Sequence, residues 1–192
     1  TATMRDALKD IYKSSLKNIN LHKNDVVLDI GANDGTLLKY YREKNLKTIG
    51  CEPAKNLTSK LKKNCNYVLN DYWSYKKLNK ILKEKKLKKP KIITALGMFY
   101  DLENPNKFIK DSALALDEKG IFIAQLMCFK SMIDKNDIGN ICHEHLEFYS
   151  LKSLKYLFEN NGLEIFKLEE NDINGGSYRI FCRKYNKGSI KL

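Results

Sequence analysis

Apolar positions change their spacing several times along the chain. Met4, Leu8, Ile11 and Leu16 fall near a 3.6-residue period, which predicts an amphipathic helix over about residues 4–17. The run Val26-Val27-Leu28-Asp29-Ile30 is almost continuously apolar and closes on a glycine, as expected of a strand buried on both faces. Helical and strand-like runs then alternate: helix at about 35–44, strand 46–51, helix 54–64, strand 66–69 and a Lys-rich helix 73–87. Strand 91–96, helix 105–116 and strand 120–126 follow. Residues 127–138 have no clean period and read either as an active-site loop, with Met127 and Phe129 facing the pocket, or as ordinary core.

The last third ends differently. Ser150 caps a helix over 150–161 that Asn161-Gly162 stops. Two extended runs, 163–168 and 178–184, flank the turn signal Asn174-Gly175-Gly176. Strands alternating with helices predict an α/β chain with a doubly wound, seven-stranded, mostly parallel sheet and an antiparallel C-terminal edge hairpin. Without an internal repeat or a linker, residues 1–192 read as one domain, with an N-terminal helix at 4–17 and a core over 24–185.

Composition narrows the class. With 43% hydrophobic and 30% charged residues in 192, the chain can bury a core and is too apolar for disorder. No apolar run is long enough to span a bilayer, and the first residues lack the basic-then-apolar pattern of a secretory signal. The chain opens on Thr1 rather than Met, which leads us to expect a segment of something longer. Lys+Arg 35 against Asp+Glu 23 gives +12, an invitation to an anionic partner. Arginine occurs only at Arg5, Arg42, Arg179 and Arg183, however, which argues against nucleic acid, since its readers lean on arginine forks. The Lys-dense stretch 83–91 reads as a solvated helix end. Five scattered cysteines with no C-x-x-C pair imply a reduced, cytoplasmic setting and no zinc knuckle; Cys51 and Cys182 read as small buried hydrophobes.

The most informative stretch is V-V-L-D-I-G-A-N-D-G-T, residues 26–36. Gly31 and Gly35 bracket a tight turn into a helix, where a ligand can approach without a Cβ in the way. Asn33 takes the place of the middle glycine in a dinucleotide fingerprint, and no phosphate loop is present. Instead Asp29 stands two residues before the first glycine, suited to a cationic amino group. Glu52 follows 23 residues later, at the end of the next strand, where an acid can accept ribose hydroxyls. Asp71, after the third strand, can accept from an adenine amino group. Three acids at successive strand ends describe a pocket for an adenosine that carries an amino acid and no phosphate: S-adenosylmethionine.

At this point the chain resembles class I S-adenosylmethionine (SAM)-dependent methyltransferases, with their Rossmann-like fold. The segments G-M-F-Y-D-L-E-N-P (97–105), I-C-H-E-H-L-E-F-Y-S (141–150) and N-G-G-S-Y-R (174–179) resemble, more narrowly, the C-methyltransferases of nucleotide-linked deoxysugars, over about residues 4–185. The resemblance implies a nucleotide-linked keto-sugar as small-molecule substrate and His145 as the base that takes the proton alpha to the ketone. Glu144 supports it, and Tyr149 is the next candidate. Gly97 joins Asp29, Gly31, Asn33, Gly35, Glu52 and Asp71 around the cofactor. His143, Asn174, Gly175, Ser177 and Arg179 fall on the substrate side, with a structural part expected for His143. No metal is expected at the two histidines, and no membrane partner; the oligomeric state stays open. Members carry a four-cysteine zinc module before this domain and a Rossmann-like domain after it; neither is in this sequence. Two departures stand out: Cys142 replaces a tyrosine common before the H-E-H triplet, and 98–101 end in Asp101 where some members have histidine. Methylation of another small molecule or of RNA, or cofactor binding without activity, are the competing readings.

Overall fold

The computed structural model describes residues 2–185. Strand β1 (Val26–Ile30) is buried at every position because its alternate side chains feed two cores. Val26, Leu28 and Ile30 enter one, and Val27 enters the other. Parallel strands β2 (Lys47–Cys51) and β4 (Pro90–Leu96) flank β1. The full order is β3 (Tyr67–Leu69), β2, β1, β4, β5 (Ile121–Met127), β7 (Ser177–Lys184) and β6 (Leu163–Asn171).

The expected seven-stranded, mostly parallel sheet is therefore present, with its hairpin at the edge. The antiparallel strand lies one place in from that edge: β7 pairs antiparallel with both β5 and β6. The crossover after β5 sets β6 down one slot away, and the hairpin folds β7 back into the gap.

Helices cover both faces. On one side α1 (Ala2–Asn18), α2 (Thr36–Arg42) and α3 (Thr58–Asn64) pack on the core that holds Leu37, Tyr41, Leu61 and Phe181. On the other, α4 (Tyr75–Glu84), α5 (Pro105–Ala115) and α7 (Leu151–Asn160) pack around Leu78, Ile109, Phe122 and Phe158. Helix α7 begins with the expected Ser150 cap, reciprocated by Ser153. A short helix, α6 (Phe129–Asp134), forms in the stretch without a clean period. Too few turns build up there for a 3.6-residue repeat to show. Met127 is core, whereas Phe129 is partly exposed.

Helix α1 departs from its expected face. Met4 and Leu16 remain exposed, while Ile11, Ser14 and Ser15 are buried. The hydroxyls explain this: Ser15 and Tyr41 hydrogen-bond through their oxygens at 2.7 Å, and Ser14 donates to Glu169 at 2.9 Å. Cys51 and Cys182 are buried as expected, and burial pushes the Cys51 thiol up to about 12. Among the described residues no helix is long and apolar enough to cross a membrane.

Candidate active site

The sheet order runs outward from β1 through β2 to β3 and then returns to β4, so a crevice opens where the direction switches, at the strands' carboxyl ends. Two clefts meet there. One, of about 750 Å³, is lined by Glu52, Pro53, Trp73, Asp101, Asn104 and Phe108 among others. The second, of about 430 Å³, is lined by Asp29, Asp34, Tyr100, Gln125 and one side of α1. Gly31, Asn33, Leu96 and Gly97 line both and form the saddle between them.

The saddle is built from backbone. Gly31 and Ala32 donate their N–H groups to the Cys51 carbonyl at 2.9 and 3.1 Å, which pulls the turn after β1 against β2. Gly31 has φ +73°, and a Cβ there would come within 3.2 Å of Met98 Cγ. Gly35 also has a positive φ, but its missing Cβ makes room for Leu61 of α3, at 2.8 Å; it serves packing and is absent from the cleft walls. Asn33 donates its backbone N–H to Glu52 at 3.0 Å, and Ala54 donates to the other carboxylate oxygen at 3.0 Å. Each oxygen keeps further lone-pair capacity, so Glu52 is fixed in place and can still accept hydroxyl groups from a ligand.

Asp29 is buried and accepts from Thr94 at 2.6 Å. Burial pushes its carboxyl up to about 7; the Thr94 hydrogen bond opposes that, and Glu52 adds to it. Among the described residues no cation pairs with it, so a positive group arriving in the second cleft would find a carboxyl group with no cationic partner. Thr94 was not singled out in the sequence, although it lies directly opposite Asp29 in the β1–β4 register and is polar inside an apolar run. Asp71 is exposed and paired with Lys77 at 2.7 Å, which holds its carboxyl low. Its neighbour Tyr72 reaches the first cleft instead.

The H-E-H triplet docks on the turn after β4. Leu146 and Glu147 donate their N–H groups to the Tyr100 carbonyl at 2.9 and 3.2 Å, and the Tyr100 ring meets the His145 ring edge-on at 4.5 Å. His145 Nδ1 lies 2.7 Å from the Asn140 carbonyl oxygen. A carbonyl can only accept, so Nδ1 holds the proton and the neutral ring keeps its lone pair on Nε2. Asp101 in the same turn lines the first cleft; burial raises its carboxyl, the nearby His145 pulls it down and Glu144 pushes it up. Two separate sequence motifs thus converge, and Asp101 joins the site as a residue the sequence marked only as a departure.

The remaining candidates are distributed as follows. His143 is exposed, 3.7 Å from Glu144. Tyr149 is buried against Phe99, its hydroxyl lacks a partner, and burial raises it. Gly175 offers its carbonyl to Lys135 at 2.8 Å, and Ser177 donates to the Ile173 carbonyl at 2.7 Å, so the turn containing Asn174 is tied to α6 and to itself. Arg179 corrects an expectation. Rather than facing an anionic substrate, its guanidinium is buried and committed to Asp10 at 2.8 Å, Glu169 at 3.0 Å and Gln125 at 3.0 Å. Of these, Gln125 reaches the second cleft. The reason is that β7 lies inside the sheet, where an arginine must find partners within the protein.

Residues 2–168 match the family described as methyltransferase domain. The chain belongs to that family. This methyltransferase domain is 24% identical over 175 residues to the C-methyltransferase NovU of Streptomyces niveus, covering 91% of this chain and 41% of that protein. It thus spans less than half the length of that relative. Among solved structures it resembles magnesium protoporphyrin IX methyltransferase (ChlM) from Synechocystis PCC 6803 with bound SAH. The TM-score is 0.70 at 12% identity, covering 96% of this chain and 84% of that one. It also resembles mycolic acid cyclopropane synthase CmaA1 complexed with SAH and CTAB, at TM-score 0.68 and 12% identity, covering 94% and 85%. The methyltransferase fold is shared with both.

Proposed function

We propose that this methyltransferase uses S-adenosylmethionine to methylate carbon on a nucleotide-linked keto-deoxysugar, through an enolate formed by His145. The observation that carries this reading is the meeting of the H-E-H segment with the mouth of the two clefts, through Tyr100 and Asp101. The resemblance to NovU, named a C-methyltransferase, supports carbon as the acceptor.

The cleft chemistry suits the cofactor. Glu52 would take ribose hydroxyls on one side of the saddle, and Asp29 a cationic amino group on the other. Gly31 and Gly97 keep the crossing clear of side chains. Bound there, S-adenosylmethionine would supply a methyl group activated by its sulfonium charge. His145 Nε2, free because Nδ1 is held by Asn140, removes the proton alpha to the ketone. Asp101 stabilises the imidazolium so formed, and the deprotonated carbon is the methyl acceptor.

Solvent-deuterium exchange at that carbon isolates the first step. With a dTDP-4-keto-deoxysugar as probe, wild type should exchange, and His145→Gln should exchange at least about a hundredfold more slowly with unchanged stability. His143→Gln should change little. Unaltered exchange in the His145 variant would overturn the assignment and shift it to Tyr149 or Glu144.

A further inference from the structure

We infer that Arg5 binds the carboxylate of the amino-acid end of S-adenosylmethionine. The inference rests on the cofactor reading above and adds a ligand contact that neither the motifs nor the family match assigns.

A cofactor that straddles the saddle with its ribose on Glu52 must place its amino acid in the second cleft, beside Asp29. That amino acid is a zwitterion. Its ammonium answers the Asp29 carboxylate, but its carboxylate then enters a cleft whose other acidic group is Asp34. Asp34 is already engaged, capping Thr36 through its N–H at 3.0 Å and its hydroxyl at 2.7 Å. Like charges so close would repel unless a cation stood between them. Among the described residues lining this cleft, Arg5 is that cation. It forms no ion pair with another described residue. It also sits on the same helix face as Leu8, three residues on, which lines the cleft with it. A guanidinium fork matches a carboxylate in two parallel hydrogen bonds.

Helix α1 is held over the cleft at three points: Asp10 on Arg179, Ser14 on Glu169 and Ser15 on Tyr41. This gives the buried Arg179 cluster a purpose. It fixes the helix that presents Arg5.

Isothermal titration with S-adenosylmethionine and with its decarboxylated analogue tests the pair directly. Wild type should prefer S-adenosylmethionine by roughly ten- to a hundredfold, the range of a charge-assisted hydrogen bond. Arg5→Gln should lose that preference by binding S-adenosylmethionine more weakly, while its affinity for the decarboxylated analogue holds. Arg5→Lys should recover part of the preference. Because Arg5 is exposed, melting temperatures of all three proteins should agree. An Arg5→Gln protein that keeps the wild-type preference would overturn the inference and hand the carboxylate to another group of the second cleft. Wild type binding S-adenosylmethionine with no preference over the analogue would also overturn it, leaving the cofactor reading intact. A wild type that binds neither compound removes the cofactor reading itself.

Discussion

The two walls of the crevice are made by different means. On the cofactor side, the saddle and Glu52 hang from strand ends through backbone hydrogen bonds: Gly31 and Ala32 to Cys51, and Glu52 to Leu69 at 3.0 Å. Every group there stands on a sheet buried on both faces. On the side of the H-E-H segment, residues 135–149 contain neither helix nor strand. They are tied to the crevice through the Tyr100 carbonyl and the Tyr149 ring on Phe99, and Ile138, Ile141 and Leu146 stay 77%, 65% and 50% exposed. On the proposed function, binding is thus set on the stiff wall and proton removal on the wall that opens at lower cost. A bulky substrate could enter past the second without disturbing the first.

The largest expected effect comes from pitting one wall against the other. Leu28→Ala, at a fully buried position of β1, should cost about 2–5 kcal/mol. Ile141→Ala should stay within about 0.5 kcal/mol. Urea unfolding measures both, and equal costs would break the contrast.

A second test uses the charge buried in the stiff wall. Folded Asp29 keeps its proton up to about 7, whereas an unfolded aspartate releases it near 4. Between those values the native state binds the extra proton, so raising pH should progressively destabilise the ligand-free protein. Asp29→Asn should remove that part of the slope. Melting temperatures from pH 4 to pH 8 would show it as a flatter curve for the variant; parallel curves would place the titration elsewhere.

The smallest effect belongs to the loose wall. Asp101 is exposed, so its help to a cationic His145 is screened. Asp101→Asn should slow alpha-proton exchange only about two- to fivefold, with unchanged affinity for S-adenosylmethionine. A loss as large as that of His145→Gln would make Asp101 part of the proton transfer itself.

Much of the stiff wall could be read from the sequence because its logic is local. A strand, a glycine and an acid two residues earlier lie within a few positions, and the alternating core of β1 reports burial directly. Glu52 followed from the same rule applied one strand later. What the sequence hid depends on partners far apart in the chain. Nothing near Arg179 announces Asp10, 169 residues away, and an arginine beside a glycine turn looks like an anion site until the strand is known to lie inside the sheet. Gly35 misled for a similar reason: a glycine that admits a ligand and one that admits Leu61 look alike in one dimension. Asp71 was placed by strand order alone, and order does not say that Lys77, six residues on in α4, takes the charge. Short α6 left no periodic trace, and Thr94 became visible only through its register with Asp29.

The placement of β7 also governs how the chain can be assembled. Synthesis proceeds from the N-terminus, and β5 and β6 are both complete before residues 177–184 exist. Until then β5 carries a bare row of N–H and C=O groups along one side, with its neighbour-to-be still in the ribosome. Such an edge can recruit another copy's strand. A nascent chain paused or cut before Ser177 therefore holds two incomplete edges where the finished sheet has a filled slot. Strand β7 acts as a keystone, so a chain cut before Ser177 should yield aggregates rather than a slightly smaller folded domain.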